Sequence, residues 1–239
     1  MENKIDNNNI ITIKNLTKKY GKTAALNNIS IDIPKGKIVG LLGPNGSGKT
    51  TLMKILSGLI CNFKGDVKIN GQPISEKTKA VVSYLPDKPY FAKWMRPVDI
   101  MKVFKDFYED FNENKMMDML NKLNLDSKQK INSMSKGMIE KLQLSLAMSR
   151  KSLLYIFDEP LGGVDPASRD YILNTIIKNY NPEGTVLIST HLIEDIEQTF
   201  DSAIFINKGV ITLNEEIDVI KEKYNKSIND LFKEEFKCF

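Results

Sequence analysis

The sequence predicts an α/β chain: a parallel core, an antiparallel β subdomain at its N-terminal end and an α-helical subdomain inserted into its middle. Three observations carry that expectation. Short apolar runs at Ile38-Val39-Gly40-Leu41-Leu42, Leu153 to Asp158 and Thr185 to Ser189 read as buried strands with helical segments between them, the alternation of a parallel α/β sheet. Nearer the N-terminus, Ile11 and Ile13 alternate with Thr12 and Lys14, and Ile29, Ile31 and Ile33 with Ser30 and Asp32, which is the period of half-buried antiparallel strands. From Pro97 the spacing changes: Val98, Met101, Phe104, Phe107 and Tyr108, then Met116, Met117, Leu120 and Leu123, recur every three or four residues, as helices require.

Taken in order, Ile10 to Pro34 reads as two strands around a turn. Ile38–Leu42 is a buried strand, and Thr51-Leu52-Met53-Lys54-Ile55-Leu56 a helix. Val67 to Gly71 is a strand ending in a turn, and Ala80 to Leu85 is apolar enough to lie inside a sheet. The helical lobe runs to about Arg150, its methionines serving as core filler. A strand to Asp158, a helix starting near Pro166 and a strand to Ser189 follow. The tail from Glu215 has helical period, and Ile217, Ile220, Tyr224, Ile228, Leu231 and Phe232 are its core-facing positions. One domain over 10–235 is expected, with the β subdomain mainly at 10–35 and 64–80, the helical subdomain at about 88–150 and the α/β core in the remainder.

Composition narrows the function classes. A chain of 239 residues is long enough for a sizeable core. The net charge of +4 is modest, and Arg96, Arg150 and Arg169 are its only arginines, which argues against nucleic acid as a partner. Cys61 and Cys238 lack metal-like spacing and read as free thiols of a reducing compartment. The asparagine-rich start is not a signal peptide, and no apolar run approaches the roughly eighteen residues that span a bilayer. Any membrane role would act through a partner.

The chemistry begins at Gly43-Pro44-Asn45-Gly46-Ser47-Gly48-Lys49-Thr50, followed by Thr51. This is the pattern G-x-x-x-x-G-K-[ST], placed between a strand and a helix as its function demands. Glycines let backbone N–H groups turn inward on phosphate oxygens, and the helix N-terminus adds partial positive charge. Lys49 would reach the β- and γ-phosphates, and the Thr50 hydroxyl would ligate Mg²⁺.

Downstream, an apolar strand ends in adjacent carboxylates, Asp158 and Glu159. Neighbouring strand residues face opposite ways, so the two acids divide the work. Asp158 would hold Mg²⁺, and Glu159 would polarise the attacking water. The one histidine, His191, follows a third buried strand, on the rim where parallel sheets bind ligands. From there it would hydrogen-bond the γ-phosphate and keep Glu159 in register.

Together these residues resemble the nucleotide-binding subunit of an ATP-binding cassette (ABC) transporter along nearly the whole chain. The resemblance implies a P-loop NTPase (RecA-like) core. Tyr20 matches the loop whose ring stacks on adenine, Gly43 to Thr51 matches Walker A, and Ile156 to Glu159 matches the end of Walker B. Leu161-Gly162-Gly163-Val164-Asp165 occupies the D-loop, and His191 is the switch histidine. Ser135-Lys136-Gly137-Met138-Ile139 falls where the family signature LSGGQ belongs, as a degenerate copy that keeps Ser135 and Gly137. Asp87 stands where the family usually has the Q-loop glutamine. A carboxylate there can contact Mg²⁺ but cannot donate a hydrogen bond.

What the resemblance implies is an ATPase using ATP and Mg²⁺. Two such chains, as a homodimer or with a second ABC ATPase, would meet head to tail, Ser135 and Gly137 of one closing over the nucleotide on the other. The partners would be transmembrane permease subunits, placing the chain peripherally on the cytoplasmic face of the membrane. Export is mildly favoured over import, and a non-transport or regulatory cassette with weak hydrolysis stays open as the alternative.

Overall fold

A computed structural model describes residues 8–162, 166–194 and 196–236, without the side chains of residues 166–168. Strands β1 (Asn9–Tyr20) and β2 (Thr23–Pro34) form a long antiparallel hairpin. Ile11 faces Ile33 and Ile13 faces Ile31 across it, all four buried, so one side of the hairpin is a continuous aliphatic surface. Then come β3 (Ile38–Leu42), α1 (Lys49–Leu56), β4 (Lys64–Ile69), the two-residue β5 (Gln72–Pro73), α2 (Glu76–Ala80) and β6 (Val82–Leu85). The hairpin continues into a four-stranded sheet in the order β2-β1-β4-β5.

The helical lobe holds α3 (Pro97–Phe107), α4 (Glu113–Lys122) and α5 (Lys136–Met148). Pro97 sits in the first turn of α3, where its missing N–H costs nothing. Asn112 caps α4 by accepting from the Lys115 amide at 2.9 Å. The core resumes with β7 (Leu154–Asp158), α6 (Pro166–Asn179), β8 (Thr185–Ser189), β9 (Ser202–Asn207) and β10 (Val210–Glu216), and ends in α7 (Ile217–Tyr224) and α8 (Ile228–Glu235).

The central sheet runs β10-β9-β3-β8-β7-β6. Its strands are parallel except β10, which pairs antiparallel with β9. In β7, Leu154 and Ile156 join the cluster shared with α1 and the hairpin, whereas Tyr155 and Phe157 enter the opposite cluster with Ile172, Ile176 and Phe205. Both faces are thus apolar, and each fully buried side chain of this size contributes about 2 kcal/mol of transfer free energy. The ends of β3, β7 and β8 are therefore fixed relative to one another.

A third cluster, built from Ile100, Met101, Met116, Leu120, Leu142 and Leu146, is the lobe's own core. Arg150 fastens lobe to sheet. It is 3% exposed, donates to Asp110 at 3.0 and 3.3 Å, to the Val82 carbonyl at 2.6 Å and to the Ala80 carbonyl, and lies 3.7 Å over the Tyr108 ring.

One feature differs from the sequence reading. The β9–β10 hairpin, turning at Lys208 and Gly209, continues to Glu216, so Glu215 and Glu216 are strand rather than helix: their backbone completes the pairing with Ala203 and Ser202. The tail's apolar positions do pack, with Phe232 and Phe236 against Phe205 at ring separations of 5.7 and 5.6 Å.

Candidate functional site

The loop from Gly43 to Thr50 leaves β3 and enters α1 closely packed at its first and last glycines. A Cβ at Gly43 would stand 2.2 Å from the Ile206 carbonyl oxygen. One at Gly48 would stand 2.6 Å from the Ala25 oxygen, and Gly48 also has φ +114°, a conformation that favours glycine. Gly48 offers α1 no side-chain cap, so the first-turn N–H groups are left to a ligand, with the helix dipole behind them. Loop residues 45–51 line a cavity of about 370 Å³ with Ala25, Asp87, Glu159, Gly162 and His191.

Lys49 is buried at 6% exposure, and its ammonium donates to the carbonyls of Gly43 at 2.6 Å and Pro44 at 3.1 Å. Burial pushes its pKa down, opposed by the charges of Glu159 and Asp158. The cation is held over the floor of the cavity by the loop's own oxygens.

Opposite stands Asp158 at the end of β7, 1% exposed. Its Oδ1 accepts from Ser189 Oγ at 2.8 Å and from Thr50 Oγ1 at 3.2 Å. Its Oδ2 is buried with no partner, a costly state for a carboxylate oxygen and one that a hard cation would relieve. The donor set, one hydroxyl and one carboxylate beside a phosphate-binding loop, suits Mg²⁺, which keeps waters for its remaining positions. Asp87, exposed, lines the same cavity, although no cluster of three metal-ligating side chains exists among the described residues.

Glu159 separates from Asp158 by a means that strand alternation did not anticipate. It lies one residue past β7 with φ +53°, a left-handed conformation that costs a non-glycine residue on the order of 1 kcal/mol. Its amide is anchored to Ser189, at 3.1 Å to the carbonyl and 3.0 Å to Oγ, and Gly162 donates back to its carbonyl at 2.9 Å. The side chain thereby meets His191, with Oε2 2.7 Å from Nδ1 and 3.3 Å from the backbone nitrogen. A carboxylate and an imidazole so paired at the mouth of the cavity can orient a water and take its proton.

Two further residues of the site carry no motif in the sequence. Ser189 accepts from the Glu159 amide and donates to Asp158, so one hydroxyl fixes both acids. Its signal was a small polar residue ending a fully buried strand. Tyr84 lies on β6, and its hydroxyl is buried near Asp158 without closing a hydrogen bond of ordinary geometry. Burial, then the charge of Asp158, pushes the Tyr84 pKa upward.

The remaining candidates lie elsewhere. Ser135 caps α5, accepting from the Met138 amide at 3.3 Å; Lys136 is 3.6 Å from Glu140. Gly137 is exposed, with open space where a Cβ would be. Neither Ser135 nor Gly137 lines the loop cavity of its own chain. Tyr20, 51% exposed, stands at the hairpin tip with Lys18 Nζ 5.0 Å from its ring centre, also outside that lining. Of the expected D-loop, Leu161 and Gly162 are placed, while Gly163, Val164 and Asp165 fall outside the described residues, as does Cys238. A second hollow, of about 610 Å³, opens between sheet and lobe, bordered by Lys54, Leu59, Tyr84, Tyr90, Val103 and Phe107.

A glycine loop on a parallel sheet, faced by a buried Asp and a Glu–His pair, defines a nucleoside-triphosphate hydrolase with an inserted helical lobe. Residues 26–162 match the family model described as ABC transporter. The lantibiotic transport ATP-binding protein SrtF of Streptococcus pyogenes is 34% identical over 225 residues, covering 92% of this chain and 97% of SrtF. The SkfA peptide export ATP-binding protein SkfE of Bacillus subtilis is 31% identical over 207 residues, 84% of this chain and 86% of SkfE. Among solved structures, the dimeric post-hydrolysis state of the cassette MJ0796 bound to ADP and Pi superposes with a TM-score of 0.76 at 20% identity, covering 86% and 98% of the two chains. The chain belongs to the ABC transporter family, as an ATP-binding subunit that hydrolyses ATP.

Proposed function

We propose that this chain drives export by a membrane permease, with ATP bound and hydrolysed at a head-to-tail interface between two such subunits. The observation that carries the dimer is a division in space: the loop cavity contains Lys49, Glu159 and His191 but not Ser135 or Gly137, which are exposed elsewhere. A second subunit would bring its Ser135 hydroxyl and Gly137 amide to the open side of the cavity. MJ0796, a cassette of like fold, is dimeric with ADP and Pi bound, which supports a two-subunit reading.

In this reading the N–H groups of residues 45–51 cradle the phosphates. Lys49 leaves the Gly43 and Pro44 carbonyls for the γ-phosphate, and Glu159, steered by His191, holds the attacking water in line. Mg²⁺, held by Thr50 and Asp158, would neutralise charge developing on the phosphoryl oxygens. Most of the rate enhancement is positioning and electrostatics. Tyr20 would stack on adenine.

The hollow beside the lobe would receive a cytoplasmic helix of the permease. No helix among the described residues is long and apolar enough to cross a membrane, so attachment on the cytoplasmic face would depend on that contact. Leu59, Tyr90, Val103 and Phe107, all exposed, give it an apolar lining. Export of a peptide-like cargo is supported by the names of SrtF and SkfE.

Glu159→Gln tests the core of the proposal. It should bind ATP with parental affinity, lose hydrolysis by about 10²-fold or more, and elute as a dimer with ATP but a monomer without it. Hydrolysis at the parental rate would remove Glu159 from its role. An ATP-saturated monomer, with each pocket completed within its own chain, would end the two-subunit reading.

A further inference from the structure

We infer that Tyr84 is a positioning residue for Asp158, its hydroxyl setting the orientation in which that carboxylate takes a divalent cation. The inference rests on the proposed magnesium-holding role of Asp158 and deepens it. β6 pairs in parallel with β7, Tyr84 opposite Ile156. Paired residues on adjacent strands share a face, and so do residues two apart on one strand, so Tyr84, Ile156 and Asp158 lie on the α1 side of the sheet. Tyr84 is one rung behind Asp158, and its long side chain reaches toward it.

The unpaired atoms make the case specific. Asp158 Oδ1 is claimed twice, by Ser189 of β8 and Thr50 of α1. Asp158 Oδ2 and Tyr84 Oη are left, both buried and both without a partner. One is an acceptor and the other a donor. A buried hydroxyl left unsatisfied is destabilising, and phenylalanine would fill the same space without it. The hydroxyl would have a use once the carboxylate holds a cation: by donating to Oδ2 it would restrict the rotation that donors to Oδ1 leave open. Such outer partners of a ligating carboxylate fix its geometry and basicity. The ring also borders the hollow next to the lobe, and Tyr84→Phe leaves that surface intact, so the substitution isolates the hydroxyl.

The experiment uses the full chain loaded with a non-hydrolysable ATP analogue and follows Mn²⁺ binding by electron paramagnetic resonance. Tyr84→Phe should weaken Mn²⁺ by roughly tenfold, leave analogue affinity in EDTA unchanged, and not lower the unfolding temperature of the nucleotide-free protein. In Asp158→Asn, which itself should bind Mn²⁺ poorly, adding Tyr84→Phe should cause no further loss. Parental Mn²⁺ affinity in Tyr84→Phe, with Asp158→Asn defective, overturns the inference while the site reading survives. Parental affinity in Asp158→Asn overturns the site reading itself. A loss that is equal and additive in both backgrounds also overturns the inference, since Tyr84 would then act independently of Asp158.

Discussion

The glycine-loop region and the Ser135 region both belong to the proposed ATP site, yet they are built in opposite ways. Around the loop, every acting side chain is held by another: Lys49 by two carbonyls, Asp158 by Ser189 and Thr50, Glu159 by Ser189 and His191. Ser135 is engaged by the helix cap, Lys136 pairs with Glu140 on the same helix, and Gly137 opens onto solvent. The first region is preorganised within one chain. In the proposed dimer the second would take part in catalysis only against another chain, so damage to each should have a different signature.

The sharpest break in that contrast is Lys49→Ala. Removing the lysine cation aimed into the cavity should slow hydrolysis by roughly 10²–10³-fold at any protein concentration, measured as steady-state phosphate release. A rate that recovered on concentrating the protein would place Lys49 with the second region instead.

Next comes the joint between sheet and lobe. Arg150→Ala strips Asp110 and two backbone carbonyls of their buried donor, and should cost about 3 kcal/mol in denaturant unfolding. A loss under about 1 kcal/mol would mean the lobe is held by apolar packing alone.

Ser135→Ala separates cap from contact. Loss of the cap should cost about 1 kcal/mol of stability. Loss of the proposed cross-subunit bond should lower the ATPase rate roughly tenfold, with single-chain ATP affinity unchanged and the rate more steeply dependent on protein concentration. An unchanged rate would confine Ser135 to capping.

The smallest effect is at Glu140, near Lys136 on α5. Burial raises its pKa above 4.5, with Lys136 opposing, and Oε2 is buried without a partner. The folded chain therefore holds this proton to higher pH than the unfolded chain, and stability falls as pH rises from 4.5 through the folded value. Glu140→Gln should raise the unfolding temperature by roughly 1–3 °C at pH 7, an advantage that vanishes by about pH 4. A gain that persisted at pH 4 would point to packing rather than charge.

How far the sequence reached can be judged at particular residues. The loop Gly43–Thr50, the acids Asp158 and Glu159 and the histidine were legible because their chemistry requires fixed residue types next to fixed elements. Ser189 and Tyr84 were not, since a serine ending a strand and a tyrosine within one have many uses, and only the β6-β7-β8 order puts them beside Asp158. The β9–β10 hairpin is weakly marked in the sequence, although Ser202–Asn207 is largely apolar. Its edge strand β10 carries a mixed burial pattern with little alternation to read.

By itself, then, the amino-acid order determined the class of chemistry and the elements that present it, because backbone curvature, charge and hydrophobic period are local properties of the chain. Tertiary structure decided which atoms meet: Glu159 with His191 through a left-handed turn, Asp158 with Ser189 across adjoining strands, Arg150 between lobe and sheet. Those meetings join residues tens of positions apart, and their geometry follows from strand order and packing, which no local pattern encodes.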